Sequence, residues 1–266
     1  MTFDMTRAVP PPPGRPLVVA HRGNSAVAPQ NTLAAFEAAA RAGADVVELD
    51  VRLTADGEVV VLHDDTVDAT TNGSGKIADF DLREVRLLDA GSWFSPAYAG
   101  QRVPTFDAVT DLLRARQGLG LLLELKGAWT ARQVRRVTEP LRAAGLVDRT
   151  VAQSFWPETV AAVRDVDPDL RRGLLVATAH EDLLERCADL GVVACNPPGT
   201  VLRDDPDLVR RLHDAALTTA VWTLNEPAHW GQAVALGVDG IITDRPDRLL
   251  GWLAGRSDLR DGGPNV

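Results

Sequence analysis

The stretch Asp45-Val46-Val47-Glu48-Leu49-Asp50-Val51-Arg52-Leu53 decides how this chain is read. Its β-branched and leucine-rich composition favours an extended backbone. Apart from the acids it is hydrophobic enough to be covered on both faces, as parallel strands are. Residues two apart on a strand share a face, so Glu48 and Asp50 point the same way, roughly 7 Å apart along the chain. Two buried carboxylates repel and lose hydration. Taken alone, this leaves two readings: the pair holds a hard cation such as Mg²⁺ or Ca²⁺, or it pairs with arginine. The same grammar recurs in Leu121-Leu122-Leu123-Glu124-Leu125-Lys126. There Glu124 is either a third ligand beside a phosphate-binding Lys126, or the two form a structural ion pair.

Other runs of this kind flank these two. Eight appear in all: Leu17–Ala20, Asp45–Leu53, Gly118–Leu125, Thr150–Ser154, Gly173–Val176, Val192–Asn196, Thr218–Leu224 and Gly240–Thr243. Helical patterns follow most of them, at Thr32–Ala42, Phe106–Arg116, Thr130–Ala144, Pro157–Val166, Glu181–Leu190, Pro206–Ala216, Ala228–Leu236 and Asp247–Leu253. Asn31 is predicted to cap the first helix. Gly43, Gly145, Gly191 and Gly237 stand where helices end and a left-handed residue is wanted. Eight alternating units in 266 residues predict an α/β fold, the (β/α)₈ TIM barrel, which typically needs about 250 residues. A doubly wound sheet would want a glycine fingerprint after the first strand, and HRGNSAVAPQN does not supply it. Residues from about 64 to 104 break the rhythm, with a strand at Glu58–Leu62, a turn-rich stretch and a short helix. They read as a small insertion after strand 2, over the end of the barrel where active sites lie. The expected organisation is one catalytic domain over 16–256, a Pro-rich leader over 1–15 and a flexible tail over 257–266.

A net charge of -9 argues against a nucleic-acid partner. An acidic protein that handles phosphate must gather local positive charge, so a metal ion or placed cations are expected, with a small molecule as the partner. Cys187 and Cys195 are too few for a disulfide framework and fit no zinc spacing. No run of about 18 apolar residues predicts stable membrane insertion. The first residues have no signal-peptide core, so a cytoplasmic protein is expected. Oligomeric state is not legible.

His21 ends the first strand and is followed by Arg22; His63 ends the extra strand and is followed by Asp64. Paired imidazoles suit general acid–base catalysis, because they titrate near neutral pH. A histidine at a strand end can equally be a satisfied structural group. Arg22 offers a fork matched to phosphate oxygens. Trp222, at the end of the seventh run, either walls a substrate pocket or packs in the core. His180, His213 and His229 lie on or beside amphipathic helices and read as surface residues.

The order of these motifs resembles one family. His21-Arg22-Gly23, Pro29-Gln30-Asn31-Thr32, Glu48-Leu49-Asp50, Asp56-Gly57, His63-Asp64, Pro104-Thr105, Glu124-Leu125-Lys126, Ser154-Phe155, Trp222-Thr223-Leu224-Asn225 and Gly240 through Pro246 together resemble the glycerophosphodiester phosphodiesterase family. The resemblance implies a divalent metal ion on Glu48, Asp50 and Glu124, and His21 and His63 as the acid–base pair. It further implies that Arg22 and Lys126 bind phosphate and that the product is glycerol 3-phosphate plus an alcohol. One departure stands out: the family usually carries Pro-Glu-Asn-Thr where this chain has Gln30. Three rivals remain. A lysophospholipase D-like enzyme would need an apolar rim, which the mostly polar stretch Asp65–Asp89 does not suggest. A non-catalytic phosphate-ligand barrel has no need of both histidines. A sugar-phosphate isomerase or aldolase barrel would want a catalytic lysine or a late glycine loop.

Overall fold

The computed structural model describes residues 14–256. The tail over 257–266 and all but the last two residues of the 1–15 leader lie outside that range. Among the described residues nine strands form one sheet: β1 (Leu17–His21), β2 (Val46–Leu53), β3 (Val59–Val61), β4 (Gly120–Leu125), β5 (Thr150–Ser154), β6 (Arg171–Leu175), β7 (Ala194–Asn196), β8 (Ala220–Val221) and β9 (Gly240–Thr243). Eight of them run parallel in the order β7-β6-β5-β4-β2-β1-β9-β8, and β3 adds antiparallel to the far end of β2. Parallel bridges Ala194–Thr218 and Pro198–Trp222 close the ring between β7 and β8. At that closure the Asn196 side chain takes a ladder position, its Oδ1 accepting from the Ala220 amide at 2.8 Å. The expected (β/α)₈ barrel is therefore the fold. The seventh run, predicted over Thr218–Leu224, shrinks to two strand residues because its flanks are held only by single bridges, Thr218 to Ala194 of β7 and Trp222 to Pro198 just beyond it.

The helices are α1 (Leu33–Ala42), α2 (Leu82–Val85), α3 (Phe106–Ala115), α4 (Ala131–Ala143), α5 (Pro157–Val166), α6 (Leu183–Leu190), α7 (Gly199–Asp204), α8 (Leu208–Asp214), α9 (Pro227–Leu236) and α10 (Pro246–Ala254). The short α7 has no counterpart in the sequence reading. Strand alternation sorts the core into two layers. Val47, Leu49 and Val51 of β2, with Leu121, Leu123 and Leu125 of β4, pack against Phe36, Phe106 and Leu141 of the outer helices. Val46 and Leu122 take the other parity and meet Leu17, Val19, Val151, Ala220 and Ile242 inside the barrel. Glu48, Asp50 and Glu124 share that inward parity, one and two steps nearer the C-terminal mouth.

Asn31 does not cap α1. The cap is Thr32, extended at φ -115° and ψ 158°, whose hydroxyl accepts from the Ala35 amide. Asn31 sits at φ 57°, a left-handed conformation that a cap position does not use. After β3 the chain returns to the mouth at His63 and then builds a small core of Val60, Leu62, Val67, Ile77, Val85, Ala90 and Val103. Among the described residues, no helix is long and apolar enough to cross a membrane.

Candidate active site

Register assembles the three acids. Asp50 of β2 pairs with Glu124 of β4, and Glu48 stands one inward step below Asp50. One carboxylate oxygen from each lies within 4.8 Å of the others, and the residues are 2%, 1% and 6% exposed. At such separations each ionised pair costs about 3 kcal/mol in a medium of effective dielectric near 20. Two cations answer them. Arg22 Nε is 3.4 Å from Asp50 Oδ2, and Lys126 Nζ is 2.8 Å from Glu124 Oε1 and 3.6 Å from Asp50 Oδ1. Both sequence readings are thus partly realised: the acids are ion-paired, yet three negative charges face two positive ones.

The protonation pattern reflects that deficit. Burial, then the charges of Asp50 and Glu124, push Glu48 well above the usual carboxylate range. Burial and Asp50 raise Glu124 to about 7. Burial also opposes ionisation of Asp50, but Arg22, His63, Lys126 and the Asn31 amide outweigh it and hold its pKa low. Glu124 Oε1 has the Lys126 ammonium as its partner, which it shares with Asp50. A buried cluster of three carboxylates, its oxygens within 4.8 Å of one another and facing only two cations, fits a hard divalent cation.

The loop between β1 and α1 delivers Arg22. Its backbone is left-handed, at φ 56°, and its amide donates to Glu48 Oε2 at 3.0 Å. Its guanidinium donates to Gln30 Oε1 at 2.7 Å. Gly23 follows at φ 86°, packed so tightly against the Ala35 backbone that a Cβ would come within 2.6 Å of it. Only glycine fits that turn.

Both histidines reach the mouth, and each is held at Nδ1 by a carboxylate. His21 Nδ1 lies 2.7 Å from Asp244 Oδ1, and His63 Nδ1 lies 2.7 Å from Asp64 Oδ1. An ionised carboxylate only accepts, so Nδ1 carries the proton in each ring and Nε2 is left for chemistry. Asp244 is itself fixed by Ser25 Oγ at 3.0 Å and Asn225 Nδ2 at 2.6 Å. Burial works against its charge, but His21, Asn225 and Ser25 hold its pKa at about 2. Burial lowers the pKa of His63. Arg52 braces the same turn, donating from Nε to the His63 carbonyl at 2.8 Å.

Trp222 is half-buried at the same mouth. Its indole N–H donates to the Asn196 carbonyl at 2.9 Å. Its ring meets Phe155 edge to face at 5.7 Å, and Lys126 Nζ stands 5.9 Å from the Phe155 centroid. All eight residues singled out in the sequence, His21, Arg22, Glu48, Asp50, His63, Glu124, Lys126 and Trp222, therefore come together. Asp244 had gone unassigned, marked only by its place in a motif, and Asn31 had been read as a helix cap rather than as a partner of Asp50. His180, His213 and His229 lie exposed.

A parallel barrel with acids, imidazoles and phosphate-matched cations at its C-terminal mouth has the build of a phosphate-ester hydrolase. The sequence profile of the Glycerophosphoryl diester phosphodiesterase family matches residues 21–248, and the chain belongs to that family. It is 34% identical over 236 residues to the glycerophosphodiester phosphodiesterase of Caldanaerobacter subterraneus subsp. tengcongensis, spanning 88% of this chain and 96% of that protein. Among solved structures it is similar to an Oleispira antarctica phosphodiesterase in complex with the product sn-glycerol-3-phosphate. The TM-score there is 0.85 and the identity 28%, over 90% of this chain and 97% of that one. The Agrobacterium tumefaciens glycerophosphodiester phosphodiesterase is 32% identical with a TM-score of 0.77, over 89% of this chain and all of that one.

Proposed function

We propose that this chain hydrolyses glycerophosphodiesters to glycerol 3-phosphate and an alcohol, with residues 16–256 as the catalytic domain and 64–104 as its insertion. The observation that carries the reading is a pair of carboxylate-pinned imidazoles beside a buried acid cluster that two cations do not neutralise. Glu48, Asp50 and Glu124 would hold the cation; their all-oxygen donor set favours Mg²⁺ or Ca²⁺. When bound, that ion would supply Lewis acidity toward the phosphoryl group. Arg22 and Lys126 bind the non-bridging phosphate oxygens, Arg22 steered by Gln30. One histidine takes the proton of the attacking oxygen, whether water or the glycerol 2-hydroxyl, and the other gives a proton to the departing alkoxide. Asp244 and Asp64 keep each Nε2 aimed and in the useful tautomer. Trp222 and Phe155 wall the substrate side. The buried free thiols Cys187 and Cys195 support a reducing compartment, and we place the protein in the cytoplasm.

The test is incubation with glycerophosphocholine in Mg²⁺ or Ca²⁺, with and without EDTA. Release of glycerol 3-phosphate that stops on chelation is expected. Full turnover with the metal stripped, or none with it supplied, defeats the proposal.

A second reading has one observation behind it. Val27, Leu87 and Trp93 are the exposed large hydrophobic residues among those described. Two belong to the insertion and the third to the loop that the insertion touches, where the Tyr98 hydroxyl donates to the Val27 carbonyl at 2.7 Å. Trp93 joins that contact through Phe94 and Tyr98, so Val27 and Trp93 form an apolar edge beside the mostly polar Asp65–Asp89, which favours a lysophospholipase D-like preference at the same centre. Turnover of lysophosphatidylcholine against glycerophosphocholine separates the two.

A further inference from the structure

Asn31 is buried, at 5% exposure, in a conformation that costs energy for any residue with a side chain. Among the described residues, the other non-glycine residues with positive φ are Arg22 and Ala216. Arg22 and Asn31 bracket the β1–α1 loop and are bonded to each other, the Asn31 amide donating to the Arg22 carbonyl at 3.0 Å. Both also reach the acid cluster, Arg22 through its backbone to Glu48 and Asn31 through its side chain to Asp50.

The Asn31 side chain grips Asp50 at two points. Its Nδ2 donates to Asp50 Oδ2 at 2.9 Å, and its Oδ1 accepts from the Asp50 backbone amide at 3.4 Å. Oδ2 is further claimed by Arg22 Nε at 3.4 Å, whereas Oδ1 faces the ammonium of Lys126 at 3.6 Å. The carboxylate is thereby fixed in rotation, with one oxygen bound by protein donors and the other turned toward Glu124 and Lys126. We infer that Asn31 is a positioning residue for the cation: its strained backbone serves to bring an amide onto Asp50 so that Oδ1 is presented to the ion. This rests on the proposed metal role of Glu48, Asp50 and Glu124. Partners that orient ligands in this way typically contribute about 10–100-fold to metal affinity.

A rival explanation is that Asn31 is there only for the turn, since asparagine tolerates the left-handed region better than most residues. Glycine separates the two. Asn31→Gly keeps the turn, relieves the strain and removes the amide. The full-length protein is titrated with Ca²⁺ and with Mg²⁺ alone, and read by calorimetry and by the metal-induced rise in melting temperature. We expect Asn31→Gly to weaken metal binding about 10–100-fold while the metal-free protein melts close to wild type. Wild-type affinity in Asn31→Gly overturns the inference and leaves the turn role. If the glycine variant does not fold, Asn31→Ser, too short to span to Asp50, takes its place with the same expected loss. Absence of metal binding in the wild type itself overturns the metal reading on which the inference stands, an outcome visible before any variant is compared.

Discussion

The barrel mouth has a charged side and a neutral side. On β1, β2 and β4, with five, eight and six residues, the upper inward positions carry His21, Glu48, Asp50 and Glu124, with Lys126 just beyond. On β7 and β8, with three and two residues, the corresponding ends carry Asn196 and Trp222. The charged side is well paired and backed by a continuous layer of Val, Leu and Phe, which holds buried carboxylates in register. The neutral side closes through single bridges and side-chain amides: Asn196 spans Gln153 and Ala220. Long strands place costly charges accurately, and short strands suffice where the groups cost little to bury. Chemistry is expected on the first side and shape selection on the second.

The largest expected effects test that division at the histidines. His21→Ala and His63→Ala should each cut turnover of glycerophosphocholine by roughly 10²–10⁴, with melting temperature little changed. A near-wild-type rate in either would make that histidine structural.

Next comes the charge deficit. Glu48→Gln should lower metal-dependent turnover by more than about 100-fold, beyond what outer partners contribute, and shrink the metal-induced thermal shift. The metal-free variant should hold or gain stability, because repulsion is relieved. The pH dependence has a definite sign. Glu48 and Glu124 have folded pKa values above their ordinary 4.5, Glu124 at about 7. A raised acid binds its proton more tightly when folded, so the metal-free protein loses stability as pH climbs from about 4.5 to about 7. Asp50 is shifted the other way, so its contribution is lost only on acidification, below its ordinary 3.8. Denaturant melts across pH 5–8 check this; a flat profile for the metal-free wild type would falsify the charge-deficit account.

The two histidine supports should differ. Asp244 is held from three sides, whereas Asp64 is 40% exposed and adjacent in sequence to its partner. Asp244→Asn should lower kcat about 10–100-fold with KM nearly constant, short of the loss seen on inverting a triad tautomer. Asp64→Asn should cost less. Equal losses would remove the distinction between a fixed and a loose imidazole.

The smallest effect is expected on the neutral side. Trp222→Leu should raise KM a few-fold and leave kcat close to wild type, the signature of uniform binding. A kcat loss comparable to that of Asp244→Asn would move Trp222 to the charged side.

Sequence alone determined the eight-unit barrel, the insertion after strand 2, and the meeting of Glu48, Asp50, Glu124, Lys126, His21 and His63 at one end. These were legible because period-two alternation forces alternate residues to one face, and an acid inside an apolar run stands out against its neighbours. Only the tertiary structure decided the rest. Asn31 reads locally as a helix cap, but a contact with Asp50, 19 residues away, claims its side chain and leaves the cap to Thr32. Asp244 reaches His21 across 223 residues because β9 lies beside β1 in the closed ring. The apolar edge of Val27 and Trp93 depends on how the insertion folds back onto the first loop. Local patterns report what a residue does to its own strand or helix; which distant group its polar atoms satisfy is set only when the barrel closes.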